Sequence, residues 1–184
     1  MSHYEMRFSG TGGQGMMLMG DILAHASGIL EHKEIVLLKS YGPEARGGAC
    51  RSELIMDTHT INYPALSRPD FVLAMSQLAC NSYTTDMECE NGILLVDSEM
   101  VKDIPVSVSH IYGLPLTRIA REVTGKAITA NVVALGAISA LCGSISGESV
   151  RAAILNRFPN KLHEINLKAF QAGVDAAKAT RKKN

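Results

Sequence analysis

A chain of 184 residues, 46% of them hydrophobic, can build one domain with a substantial core, spanning residues 1–184. Lys plus Arg and Asp plus Glu number 18 each, so no net field draws the molecule to nucleic acid or to an anionic membrane surface. Any anion it binds has to be gripped locally.

The opening MSHYEMRFSG lacks a cationic stretch followed by an apolar run, which predicts no secretory signal and a cytoplasmic location. Glu5 to Ser9 predicts a short strand running into the glycine cluster Gly10 to Gly15. Met16 to Leu30 then carries apolar residues at helical spacing, and Ile35 to Leu38 is an apolar run suited to a parallel strand covered on both faces. After a loop from Ser40 to Gly48, Cys50 to Met56 alternates like a half-exposed strand, with Asp57 to Asn62 predicted to turn back on it as a hairpin. Phe71 to Ala74 and Ile93 to Val96 predict two more buried strands flanking a helix over Gln77 to Met87.

Ser107 to Ile111 predicts an edge strand, and Pro115 starts a helix running to Val123. Ala127 to Leu141 presents Ala130, Ala134, Ala137 and Leu141 on one close-packing face. Interrupted by Thr129, Asn131 and Ser139, this region falls short of the roughly 20 apolar residues of a membrane span and predicts a buried helix. Glu148 to Phe158 and Leu162 to Ala177 complete the helices, and the basic end Lys178 to Asn184 predicts a solvated tail. Alternating strands and helices predict an α/β fold of the doubly wound kind. Its sheet should be mostly parallel, with helices on both faces, a β-hairpin insertion after the second strand and a helical C-terminal part.

Four cysteines, Cys50, Cys80, Cys89 and Cys142, form no CxxC pair, and the six histidines form no HxxxH pair. Neither a zinc site nor a cysteine-bound iron–sulfur cluster has its usual spacing, so no metal ligand is assigned on this chain. No Ser/His/Asp or Cys/His set assembles either, and no catalytic residue is assigned to the chain alone.

The sequence Gly10-Thr11-Gly12-Gly13-Gln14-Gly15 satisfies GxGxxG between a predicted strand and a predicted helix. Glycines there permit a sharp turn and let backbone N–H groups approach an anion, which the helix start favours. A packing turn is the plainer alternative. Dinucleotide binding is disfavoured, because the second strand ends in Lys39 and Ser40 rather than in a ribose-gripping carboxylate. No GK[ST] follows the loop, which excludes a Walker-type site.

Ser40-Tyr41-Gly42-Pro43-Glu44-Ala45-Arg46-Gly47-Gly48 follows the second strand and is predicted at the same sheet edge as the glycine loop. Tyr41, Glu44 and Arg46 concentrate a phenol, a carboxylate and a fork of donors between enforced turns; an ion pair that only orders the loop is the alternative. Asn131, in an otherwise apolar helix, has to find hydrogen-bond partners, either by holding a loop or by touching a ligand.

At GTGGQG (Gly10 to Gly15), SYGPEARGG (Ser40 to Gly48) and TANVVALGA (Thr129 to Ala137), the chain resembles the gamma subunit, or fused gamma domain, of the 2-oxoacid:ferredoxin oxidoreductases. It most resembles the 2-oxoglutarate-using members. The resemblance covers essentially the whole chain. It implies an accessory subunit of an enzyme that decarboxylates a 2-oxoacid oxidatively to its acyl-CoA and reduces ferredoxin. It also implies thiamine diphosphate and magnesium on alpha and beta subunits, and iron–sulfur clusters on beta or on a delta subunit. The isolated chain is then expected to be inactive and to bind none of these cofactors alone. Coenzyme A is the implied shared ligand, held with help from Gly10, Gly12, Gly13, Gln14, Gly15, Ser40, Tyr41, Gly42, Glu44, Arg46, Gly47 and Asn131. Arg46 is expected either to grip coenzyme A or to bond across a subunit interface. A gamma subunit acting with pyruvate, indolepyruvate or a branched-chain 2-oxoacid, an autonomous Rossmann-like nucleotide-binding protein, and a ligand-free scaffold are the alternatives.

Overall fold

The computed structural model describes residues 3–41 and 48–181. Six strands form one sheet: β1 (His3–Thr11), β2 (Glu34–Tyr41), β3 (Ala49–Asp57), β4 (Phe71–Ala74), β5 (Ile93–Asp97) and β6 (His110–Leu114), in the order β2-β3-β1-β4-β5-β6. The pairs β1/β4, β4/β5 and β5/β6 are parallel, whereas β3 runs antiparallel to both β1 and β2. The helices are α1 (Met16–Ala24), α2 (Gln77–Tyr83), α3 (Leu116–Thr124), α4 (Ala130–Leu141), α5 (Gly147–Arg157) and α6 (His163–Arg181). The α1 helix continues as a π-helix over His25–Leu30.

The α/β fold read from the sequence is the one formed, but the partner of β3 differs from expectation. Residues 58–70 form no strand; β3 instead makes the hairpin with β2 and lies between β2 and β1. Its alternation is not that of a half-exposed strand. Ser52 is buried and donates its hydroxyl to the Met16 carbonyl at 2.8 Å, and Glu53 is buried against Arg7 at 2.7 Å. The polar positions of β3 therefore face partners rather than water.

Even-numbered residues of β1 (Tyr4, Met6, Phe8) face the main core with α1, α3, α4, α5 and α6. The opposite face is thinner: Val72, Ala74, Leu94 and Val96 pack against Cys80, Met87 and Val101. Below β1 and β3 that face is polar, and Arg7 donates to Glu53, to both Asp86 oxygens and to the Tyr83 carbonyl. The helix α4 is almost wholly buried and meets α6 backbone to backbone. A Cβ on Gly136 would lie 1.9 Å from the Phe170 carbonyl oxygen, and one on Gly173 the same distance from that of Val133. No helix among the described residues is long and apolar enough to cross a membrane.

Candidate functional site

The strands β1, β2, β4, β5 and β6 run the same way, so their carboxyl ends share one edge of the sheet. The chain leaves the central strand β1 toward β2 on one side, while β4, β5 and β6 extend on the other, which makes the β1/β4 boundary the crevice where open α/β sheets take ligands. The glycine loop sits in this crevice. Gly13 has φ 91° and Gly15 φ 81°, values that L side chains rarely adopt. A Cβ added at Gly12 or Gly13 would meet nothing within 4 Å, so the outer face of the loop is open.

Gln14 braces the crevice. Its amide oxygen accepts from the Thr11 N–H at 2.7 Å, and its amide nitrogen donates to the Met75 carbonyl at 2.9 Å, tying the end of β1 to the residue after β4. A Cβ on Gly10 would come 2.5 Å from that amide oxygen, so this glycine makes room for the brace. The helix start that follows is uncapped among the described residues: Gly15 is the N-cap residue, it offers no side-chain cap, and no acidic residue stands in the first turn. By contrast, α2 is capped by Ser76, and α5 by Ser146 with Glu148 in its first turn. The α1 start, like those of α3 and α4, thus has neither a side-chain cap nor an acidic residue of its own first turn to offset its partial positive charge.

Two cavities flank this start. The first, about 300 Å³, is lined by Gly13, Gln14, Met75, Thr117, Arg121 and Ala130 among others. Arg121 supplies its positive charge and lies 3.8 Å from Glu99, whose Oε2 is buried without a hydrogen bond among the described residues. Thr117 is held by the buried Asp97, which accepts from both its N–H and its hydroxyl. The second cavity, about 270 Å³, lies on the other side of Ile128, a residue that is 72% exposed and lines both.

Asn131 stands between the loop and the second cavity. A Cβ on Gly15 would fall 2.2 Å from its amide nitrogen, so the glycine and the asparagine are packed face to face. Of the expected site residues, the structure brings Gly10, Gly12, Gly13, Gln14, Gly15 and Asn131 together. Ser40 and Tyr41 end β2 at the same edge; Tyr41 and Gly10 are both registered opposite Cys50, which separates them by two strand spacings, about 10 Å. Gly42, Glu44, Arg46 and Gly47 lie outside the described residues. Arg121, Lys126 and Phe158, which line the cavities, escaped sequence reasoning; only the fold brings them to residues more than a hundred positions earlier.

The family model described as pyruvate ferredoxin/flavodoxin oxidoreductase matches residues 5–176. The 2-oxoglutarate synthase subunit KorC of Methanocaldococcus jannaschii is 42% identical over 176 residues, covering 95% of this chain and 94% of its own. The crystal structure of a keto/oxoacid ferredoxin oxidoreductase gamma subunit from Geobacter sulfurreducens superposes with a TM-score of 0.89 at 41% identity, over 97% of this chain and 98% of that one. The 2-oxoglutarate:ferredoxin oxidoreductase of Magnetococcus marinus, solved with 2-oxoglutarate, coenzyme A and succinyl-CoA bound, shares the fold. Its TM-score is 0.86 at 23% identity, with 97% of this chain matched to 32% of that longer one. The chain belongs to the pyruvate ferredoxin/flavodoxin oxidoreductase family, as a gamma-type subunit of a 2-oxoacid:ferredoxin oxidoreductase.

Proposed function

We propose that this chain is the gamma subunit of a thiamine-dependent 2-oxoglutarate:ferredoxin oxidoreductase, assembled with alpha and beta subunits, with or without a delta subunit. In this reading it holds coenzyme A at the carboxyl edge of its sheet. Coenzyme A supplies the thiol that accepts the acyl group; the residues of this chain bind its anionic end and orient it. One observation carries the reading: the uncapped start of α1 opens beside a cavity containing Arg121, and nothing in the helix's own first turn neutralises it. Phosphate oxygens complement such a start and such a guanidinium. Ferredoxin, thiamine diphosphate, magnesium and iron–sulfur clusters belong to the assembled enzyme.

The test is reconstitution with co-purified partner chains. With 2-oxoglutarate, coenzyme A and ferredoxin the complex should turn over faster than with pyruvate, indolepyruvate or branched-chain 2-oxoacids. Gly12→Val should weaken apparent coenzyme A affinity while leaving the chain folded, because its new side chain points into open space. Preference for another 2-oxoacid would overturn the substrate, and unchanged affinity in Gly12→Val would reduce the glycine loop to a packing turn.

A further inference from the structure

Residues 58–70 cross from β3 to β4 as a strap with neither strand nor helix, and two carboxylates hold its ends. At its start, Asp57 accepts from the His59 N–H at 3.0 Å. At its far end, the buried Glu5 carboxylate accepts from the N–H groups of Ser67 and Arg68, at 2.9 and 2.8 Å, and from the Ser67 hydroxyl at 3.2 Å. The Glu5 N–H in turn donates to the Asp70 carboxylate at 2.8 Å. Between these ends, residues 60–66 enter no backbone-to-backbone hydrogen bond among the described residues, and Tyr63 is 73% exposed. One side chain reaches both anchors: the His3 ring places Nδ1 2.9 Å from Asp57 and Nε2 3.3 Å from Glu5.

We infer that His3 is a pH-sensitive latch on this strap, holding both anchors as the imidazolium cation and releasing one of them as the neutral ring. An imidazolium donates from both nitrogens, whereas a neutral imidazole has a single N–H and turns a lone pair toward the other carboxylate. The shorter bond, to Asp57, keeps the remaining proton, so the contact to Glu5 is the one released. Among the described residues the charged groups around the ring come from every neighbouring element. Glu5 lies on its own strand and Asp57 on β3, and Glu34 of β2 is registered opposite Asp57. The strap adds His59, Asp70 and Arg68, the last paired with Glu88 at 3.1 Å. Carboxylates outnumber cations there, which favours the protonated ring. Burial pushes the His3 ring down, but its bonds to Asp57 and Glu5 outweigh burial and hold it above its ordinary value of 6.5. Its side chain is 51% exposed, so the proton exchanges freely with solvent. Because the folded value is the higher one, the latch is complete below pH 6.5 and is lost as pH rises through the folded value.

The test is to titrate the His3 ring in the full chain by its NMR signals and to follow hydrogen exchange of the Ser67 and Arg68 amides, which end on Glu5. The ring should titrate above 6.5. After correction for the intrinsic pH dependence of exchange, both amides should exchange about 2- to 5-fold faster above the ring's pKa than below it, the size expected of a partly exposed ion pair. Amides of β4 and β5 should keep their protection across the same range. His3→Gln should abolish the step and leave both amides in the faster state at every pH. Asp57→Asn, which removes the stronger of the ring's two partners, should move the step and the ring's pKa together to lower pH. A ring that titrates at or below 6.5, or a step that survives in His3→Gln, would overturn the latch. So would a loss of protection shared by the whole sheet, which would make the pH effect global, and a step in Asp57→Asn that does not follow the ring.

Discussion

Gly12 and Gly15 belong to one motif and do different work. Gly15 combines a left-handed backbone with the Asn131 amide lying where a Cβ would go. Gly15→Ala should therefore lose about 1–2 kcal/mol from backbone strain alone, with a further loss from displacing Asn131. Gly12 has open space around it, so Gly12→Ala should stay within about 0.5 kcal/mol of the parent. Urea denaturation of the two variants side by side checks the contrast, and equal losses would refute it. Gln14→Ala should cost about 1–3 kcal/mol, because it leaves the Thr11 N–H and the Met75 carbonyl without their partner. The glycines were legible from sequence because their spacing is local. The role of Gln14 was not, since the Met75 carbonyl arrives from 61 residues away. Tyr41 lies at the expected edge because β1 and β2 run the same way, although the antiparallel β3 stands between them where an open parallel sheet was expected.

Among the elements, the apolar runs Phe71 to Ala74 and Ile93 to Val96 were read correctly because parallel strands buried on both faces have no polar period to misread. The strand β3 was misread because Arg51 and Glu53 mimic a solvent face, when in fact Glu53 pairs with Arg7 and Arg51, and Arg51 lies over the Tyr83 ring, on the thin side of the sheet. That cluster yields a stability prediction. The Arg7 side chain is 5% exposed, so Arg7→Met strips the buried Glu53 of its shorter ion pair and leaves it the 3.3 Å contact to Arg51, which should cost about 3 kcal/mol, read from the urea midpoint. It also yields a pH dependence. Burial pushes the Asp86 carboxyl up, but the hydrogen bonds and charge of Arg7 outweigh burial and hold it below the usual carboxylate range. A depressed carboxyl contributes stability above its unfolded value of about 3.9, and that contribution is lost as pH falls through the lower folded value. The thermal midpoint should accordingly fall below about pH 4, and less steeply in Asp86→Asn than in the parent; identical slopes would remove Asp86 from the account.

At the scale of the whole molecule, the isolated chain should be colourless, bind no thiamine diphosphate and fail to turn over 2-oxoglutarate. A stoichiometric visible chromophore or steady turnover by the chain alone would sink the accessory role. Arg46 is tested in the same assembled system. Arg46→Lys and Arg46→Ala that lose coenzyme A affinity with assembly intact place it at the ligand, and variants that fail to assemble place it at an interface. Parent-like behaviour would make it a loop brace. The order of the strands also bears on how the chain reaches this state. β1 precedes the other five strands in the chain but lies in the middle of the sheet, and both of its neighbours come later: His3 faces Asp57, and Met6 faces Phe71. Until Ala74 has been synthesised, β1 has one side without a partner, while β2 and β3 can close their own hairpin across a short loop. Folding should therefore begin at that hairpin, with β1 docking onto it late and slowly, as distant pairings do. A nascent chain halted before β4 should remain protease-sensitive along β1 even when its hairpin has formed.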